Sequence, residues 1–393
     1  SGNAPSGAWP YLGVFKPITP GYMDMTAISP SSIQLENLKW ETITSTDIGV
    51  DFSLFKNKLN ITAEWYHRRT TDLLQKDVEL PSSTGFSQIS YFNSGELTNK
   101  GWEIMFNYDA VRKEDFKLSF NINFSKNRNE VVELPENMQF ENYEFGNGKY
   151  AHKIIEGNPI GSFYGYRYLG VYQNQDETFA RDLSGNIMYN LNGEPVVIQN
   201  GPRKVYAGDA KYQDIDGNGV INQYDIVYLG NAMPLFTSGA GFNIGYKNFL
   251  LTTFFHGRFG QKVVNSTRMD TENMRGTGNQ STAVLRRWRH EGDNTDIPRA
   301  LYGEGYNYLG SDRFVEDASY VRLKTVSLRY SLPKTLVKRY GLSRFDVFAT
   351  VQDLFTWTKY SGQDPEVSLS SNIYMLSQDN ASTPCLLYTS DAA

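Results

Sequence analysis

The chain alternates apolar and polar residues along repeated stretches of about ten residues. In the first clear stretch, Ile48, Val50 and Phe52 fall on one side of an extended strand, because successive side chains point to opposite faces. We therefore predict an all-β fold of about eight antiparallel strands. The alternating stretches are 47–55, 59–66, 101–109, 116–125, 241–246, 249–255, 326–332 and 345–353.

Two architectures fit strands with one apolar and one polar face. In a soluble sandwich or barrel the apolar face forms a core, whereas in an outer-membrane barrel it faces lipid and the polar face lines a wet lumen. The connections favour the membrane barrel, because short ones at 56–58, 110–115 and 247–248 alternate with long ones. Aromatic residues that could form interfacial girdles lie near the strand ends: Trp65, Tyr66, Trp102, Tyr108, Tyr246 and Trp357.

The number of strands leaves closure of the barrel open. An unpaired strand edge in lipid costs several kcal/mol per unsatisfied backbone group. The chain is therefore either a small closed barrel with very large loops or part of a larger barrel. Its beginning at Ser1, without Met or a leader, predicts a removed signal or an internal piece.

Composition and motifs argue against several other classes of protein. A net charge of -5 predicts no nucleic-acid partner, and the single Cys385 excludes an internal disulfide. Only four His are present, without an H-E-x-x-H motif, and the sequence contains no G-x-S-x-G nucleophile motif. We predict that the chain is not an enzyme.

The segment "DIDGNGVINQYD" at 214–225 has the spacing of a calcium loop. Such a loop supplies oxygen ligands from positions 1, 3, 5, 7, 9 and 12, with Gly at position 6. The predicted Ca²⁺ ligands are Asp214, Asp216, Asn218, the Val220 carbonyl, Asn222 and Asp225.

The flanks of this loop lack a helical pattern, so we predict a structural ion that orders a long outer loop at 127–235. Asp225 stands where a bidentate Glu is usual, which predicts weak binding. The alternative is a metal-free cluster of Asp, Asn and Gly turns.

Aromatic residues with polar neighbours are candidates for contacts with a sugar or peptide, because sugar rings stack on aromatic faces. The alternative is that these side chains pack within their own loop or against a partner. The candidates are Tyr143, Phe145, Tyr150, Tyr302, Tyr306 and Tyr308.

Five segments, in family order, resemble the SusC/RagA family of TonB-linked outer-membrane transporters of the Bacteroidetes. They are 96–106, 208–236, 287–300, 318–333 and 352–367. The resemblance implies an antiparallel transmembrane β-barrel with long extracellular loops, of which this chain is the C-terminal part; such barrels have about 22 strands and a plugged lumen. It places the plug, the TonB box, the signal peptide and the earlier strands outside this chain.

The same resemblance implies a SusD-like surface lipoprotein partner, a link to the TonB complex through the plug, and a cell outer-membrane location. The cargo would be oligosaccharides or, in some members, peptides. We assign 1–384 to the barrel and expect 385–393, "CLLYTSDAA", to be a non-native or truncated tail, because it lacks the aromatic closing strand of the family. The alternative function is a calcium-stapled soluble or cell-surface β-module that binds carbohydrate or peptide.

Overall fold

A computed structural model describes residues 11–18, 27–80, 82–86, 88–134, 150, 155–366 and 378–379. These residues contain many strands and two short helices, α1 (Ser266–Glu272) and α2 (Lys334–Arg339). The strands are β1 (Phe15–Ile18), β2 (Ala27–Pro30), β3 (Thr42–Leu54), β4 (Leu59–Thr71), β5 (Leu74–Glu79), β6 (Gln88–Asn93), β7 (Glu96–Arg112), β8 (Phe116–Glu133), β9 (Ser162–Gly165), β10 (Tyr168–Val171), β11 (Gln199–Asn200), β12 (Arg203–Lys204), β13 (Ala210–Tyr212), β14 (Val220–Ile221), β15 (Val227–Asn231), β16 (Phe236–Tyr246), β17 (Phe249–Phe259), β18 (Lys262–Asn265), β19 (Val315–Asp317), β20 (Tyr320–Ser331), β21 (Asp346–Thr358) and β22 (Gln378–Asp379).

Eight long strands form one sheet, here called the wall sheet, in the order β3-β4-β7-β8-β16-β17-β20-β21. The spatial order is the chain order and every neighbouring pair is antiparallel, so the sheet is an up-and-down meander. This arrangement confirms the predicted all-β fold. No helix in the described residues has the length and apolar content needed to cross a bilayer.

The strand register places the apolar residues in continuous rows across the wall sheet. One row crosses all eight strands through direct cross-strand pairs; its members are Phe52, Ile61, Phe106, Ile122, Ala240, Phe255, Leu323 and Phe355. A one-residue slip in any pair would move that strand's apolar set to the other face. The register therefore confirms the alternation seen in the sequence.

The apolar face of the wall sheet is exposed rather than packed. Ile48 is 59% exposed and Phe52 is 53% exposed, although both belong to the apolar rows. Among the described residues, the four clusters of buried apolar residues lie in the connections and at strand ends, not beneath the middle of the sheet. A sheet whose apolar face does not pack on a core fits the wall of a barrel that faces lipid, and it does not fit a soluble sandwich.

Short and long connections alternate at the two ends of the wall sheet, as predicted. Residues 55–58, 113–115 and 247–248 make tight connections at one end, and 332–345 contains α2. The long connections lie at the other end. The predicted outer loop begins at 134 rather than 127, because β8 continues to Glu133 in pairing with β7 although residues 126–130 are polar.

The two longest connections pack on each other to form one unit, here called the loop assembly, which comprises the described residues of 150–235 and 260–319. One shared core contains Phe163 from the first connection and Val264 and Phe314 from the second. Arg299 donates to the buried Asp209 across the two connections, with an Nε–Oδ1 distance of 2.7 Å. The outer loops are thus a folded body with its own core.

Candidate functional site

Three aspartates of the loop at 214–225 converge in the structure. Oxygen atoms of Asp214, Asp216 and Asp225 all lie within 4.8 Å of one another. Asp214 follows the end of β13, and Asp225 ends a short 3-10 turn just before β15. Asp225 is fully buried, with 0% of its surface exposed. The spacing seen in the sequence therefore brings three acidic groups to one point.

The backbone of the loop orients two of these carboxylates. Asp214 accepts from the N–H of Gly217 at 2.9 Å and from the N–H of Gly219 at 2.8 Å. Both glycines have positive φ, 69° and 79°, so the chain can turn tightly around the carboxylate. Asp225 accepts from the N–H of Ile215 at 2.7 Å and from that of Asn222 at 2.8 Å.

The electrostatics of the loop disfavour its negative charge. Burial raises the pKa of Asp214, and a hydrogen bond with Asp216 raises it further. Burial also raises the pKa of Asp225, with the charges of Asp214 and Asp216 acting in the same direction. A divalent cation among the three would supply the positive charge that this arrangement needs.

The other predicted ligands adjoin the three aspartates, but their polar atoms are used within the loop. The side-chain oxygen of Asn218 accepts from the N–H of Val220 at 2.7 Å. The Val220 carbonyl accepts from the Asn222 amide at 3.1 Å, and the Asn222 side-chain oxygen accepts from the N–H of Tyr224. Each of these oxygens accepts one hydrogen bond there and keeps a second lone pair for an ion.

The candidate aromatic residues separate by exposure. Tyr150 and Tyr308 are buried in the shared core of the loop assembly, where the Tyr150 hydroxyl donates to the Ser311 carbonyl at 2.6 Å. Both side chains are packing residues in this structure, so they correct the expectation of a cargo contact there. Tyr302 is 77% exposed and Tyr306 is half-buried. Tyr143 and Phe145 lie outside the described residues.

A charged cluster on the polar face of the wall sheet was not foreseen from the sequence. Arg322 donates to Glu366 at 2.9 Å and to Asp364 at 2.5 Å, and Lys324 pairs with Asp353 at 3.2 Å. The contacts with Asp364 and Glu366 hold the segment after β21 against the wall sheet. The register shift beside Lys324 brings the charges together, and no local sequence signal marks such a bulge.

Comparison with known proteins identifies the family in which these features occur. Residues 4–193 match the model for the TonB dependent receptor-like β-barrel. TonB-dependent receptor P3 of Formosa agariphila is 35% identical over 352 residues, which cover 88% of this chain and 32% of that protein. TonB-dependent receptor SusC of Bacteroides thetaiotaomicron is 28% identical over 344 residues, covering 84% of this chain and 30% of that protein.

A solved structure shows the same fold. The RagAB peptide transporter superimposes with a TM-score of 0.70 at 23% identity, covering 96% of this chain and 38% of that chain. The chain thus spans about a third of the length of the curated relatives it matches. Together with the exposed apolar face and the alternating loops, these matches show that the chain belongs to the TonB-dependent receptor family and forms part of that family's outer-membrane β-barrel.

Proposed function

We propose that the receptor to which this chain belongs imports oligosaccharides across the outer membrane. The wall sheet would supply part of the barrel, and the loop assembly would supply part of its outer surface. The exposed apolar face, in register over all eight strands, carries this proposal, because it needs acyl chains around it. A soluble calcium-stapled module, the alternative function, would leave the same face in water.

Two further parts of the proposal concern the partners. A SusD-like lipoprotein would cover the loop side of the barrel, and energy would come from the TonB complex through the plug. Support comes from the named relatives, which are TonB-dependent receptors and include a SusC protein.

Oligosaccharide is favoured as cargo by the aromatic residues that the loop assembly keeps at its surface. The ring of Tyr302 is exposed, and Glu304, two residues further along the chain, forms an ion pair with Arg203 and supplies polar groups to the same connection. An aromatic face with adjacent polar groups suits a sugar ring and its hydroxyls. The fold neighbour RagAB is named a peptide transporter, so peptide is the competing cargo.

We also propose that Ca²⁺ binds Asp214, Asp216 and Asp225 as a structural ion. Support comes from the convergence of the three carboxylates, the burial of Asp225 and the raised pKa of two of them. Asn218, the Val220 carbonyl and Asn222 would complete the oxygen shell. The ion would hold the turn between β13 and β15, which both pack into the loop assembly.

The cargo is tested with the full-length receptor and its lipoprotein in detergent, against a panel of oligosaccharides and a panel of peptides. We expect saturable binding of at least one oligosaccharide, weakened by Tyr302→Ala and unchanged by Tyr189→Ala, which removes another exposed loop tyrosine. Binding of peptides alone would replace the oligosaccharide assignment. Purification of the receptor without detergent would instead contradict the membrane barrel.

A further inference from the structure

A basic cavity of about 620 Å³ lies on the polar face of the wall sheet, beside the short connections. Its lining includes four cationic residues: Lys117, Lys247, Arg329 and Lys334. Only two acidic residues, Glu114 and Asp115, share that lining. The cavity therefore presents an excess of positive charge toward the barrel interior.

The strand register fixes the floor of this cavity. Lys117 pairs with Gly245, Gly245 with Leu250, and Leu250 with Arg329, so one row of four residues crosses β8, β16, β17 and β20. The row lies on the polar face, because Leu118 and Leu251 beside it belong to the apolar rows. The three cross-strand pairs thus fix the spacing between Lys117 and Arg329.

The short connections form a firm rim around the floor. The N–H of Lys247 donates to the Asp115 carbonyl at 2.8 Å, which joins two turns. The Asn248 amide donates to the Ser331 carbonyl at 2.6 Å, and the N–H of Ser331 returns a bond to the Asn248 carbonyl at 2.9 Å. The cavity is consequently built from backbone contacts rather than from mobile side chains alone.

The cations of the cavity keep capacity for an anion. Ion pairs at this end of the wall sheet join Arg112 to Asp109 and Arg344 to Asp346. Within the described chain the cavity cations form no salt bridge, although the charge of Asp346 acts on Arg329. The Lys247 ammonium lies over the ring of Tyr246, which belongs to the apolar rows, so the charge of the cavity comes from Lys117, Arg329 and Lys334. The Nε atom of Arg329 is buried and has no hydrogen-bond partner in the described structure. A buried donor without an acceptor is costly, and a turn of the Arg329 side chain toward an anion in the cavity would satisfy it.

Gly245 keeps the cavity open. A Cβ atom at this position would lie 3.4 Å from the Cβ of Lys117 and 4.0 Å from a methyl group of Leu250. A longer side chain would project from the floor into the space between Lys117 and Arg329. The glycine therefore gives a way to block the cavity without changing its charge.

We propose that this cavity is a binding site for an anionic group, a carboxylate or a phosphate. The Arg329 guanidinium would donate to the group in the plane of its fork, and the lysine ammonium groups would add point charges around it. The site does not depend on the transport proposal, because the cavity and its charges belong to the wall sheet itself.

The test is calorimetric titration of the purified full-length receptor with inorganic phosphate and, separately, with acetyl-glutamate. We expect saturable binding of at least one of the two anions. Arg329→Gln should weaken it about tenfold or more, as for loss of a charge-assisted hydrogen bond. Gly245→Val should weaken it with every charge retained, and Lys338→Gln, on the exposed side of α2, should leave it unchanged.

The two probes distinguish the sources of the anion, since preference for phosphate or for carboxylate names the class of ligand. If neither anion binds saturably, the proposed site is overturned. The same conclusion holds if another part of the receptor fills the cavity and so prevents binding. Equal weakening by Lys338→Gln would overturn it as well, because a general surface charge would then explain the binding. Heat-modifiable gel migration of each variant confirms that its barrel is folded.

Discussion

At the scale of single residues, Asp225 shows what spacing predicts and what it leaves out. The spacing from Asp214 predicted that Asp225 lies with Asp214 and Asp216, and the three do converge. It did not predict that both Asp225 oxygens accept backbone N–H groups, from Ile215 and Asn222. Those contacts explain an aspartate at the twelfth position, because a glutamate is longer by one methylene and would displace its carboxylate from both donors.

Replacing Asp225 with Asn tests the proposed calcium site. The variant keeps the size of the side chain but removes one negative charge from the loop. We expect the calcium affinity of the full-length receptor to fall about tenfold or more, since charge count tunes such sites. Calcium-dependent protection of the outer loops against proteolysis, measured across a calcium titration buffered with a chelator, is the readout.

The matched control is Asp182→Asn. Asp182 also accepts backbone N–H groups in a turn, from Ser184 and Asn186, but it lies in another turn of the same connection. We expect no change in the calcium dependence of this variant. An unchanged calcium titration for Asp225→Asn, or an equal shift for Asp182→Asn, would contradict the site.

At the scale of elements, the loop assembly is held by buried ion pairs as well as by its apolar core. Glu316 in β19 accepts from the N–H of Ser361 at 2.9 Å and pairs with Arg268 of α1 at 3.2 Å. Burial alone raises the pKa of Glu316, but the hydrogen bonds from Ser361 and the charge of Arg268 outweigh it and lower the pKa below 4.5. The ionised form therefore stabilises the native contacts.

The lowered pKa predicts acid sensitivity of this part of the loop assembly. The stabilisation is present above the unfolded pKa of Glu316, near 4.5, and is lost as the pH falls through the lower folded value. Glu316→Gln should destabilise the assembly at neutral pH and reduce its further loss of stability in acid. Hydrogen exchange of β18 and β19 between neutral pH and about pH 3 measures both effects.

The control for this experiment is Glu291→Gln, which neutralises an exposed acid in the same long connection. Its exchange profile should follow that of the unchanged receptor at each pH. An acid-induced rise in exchange of the same size in Glu316→Gln as in the unchanged receptor would show that Glu316 is not the responsible group.

The elements also show which structural features the sequence patterns do not predict. Alternation predicted the wall strands, since period-two burial leaves a clear mark in residues such as Ile48, Val50 and Phe52. It missed the end of β8, because residues 126–130 are polar on both faces and interrupt the alternation. It could not separate Tyr150 and Tyr308, which are buried, from Tyr302, which is exposed, because loop burial depends on contacts between distant connections.

At the scale of the whole molecule, the wall sheet has two faces with opposite requirements. The apolar rows are continuous across eight strands and are exposed, while the polar face carries Arg322, Lys324 and the basic cavity. A closed core cannot satisfy both faces, whereas a barrel in a bilayer satisfies the first with lipid and the second with water. The position of the folded loop assembly at one end then gives the barrel its outer side.

The two faces predict different responses to the introduction of a lysine. Ile122 lies inside the apolar set of β8, which runs from Phe116 to Phe124, and it pairs with Phe106. Ile122→Lys should destabilise the folded barrel by about 2–4 kcal/mol, the cost of a lysine on the lipid face near the bilayer centre. The folded fraction in urea, measured by heat-modifiable gel migration after reconstitution into vesicles, reports this loss.

The adjacent residue provides the control, because Asn123 is exposed on the polar face of the same strand. Asn123→Lys adds the same charge and side chain to a face that meets water, so its urea profile should stay close to that of the unchanged receptor. If Asn123→Lys were the more damaging of the two, the apolar rows would face a packed interior and the direction assigned to the wall sheet would be reversed. The relative size of the two losses, rather than either one alone, decides which face meets the lipid.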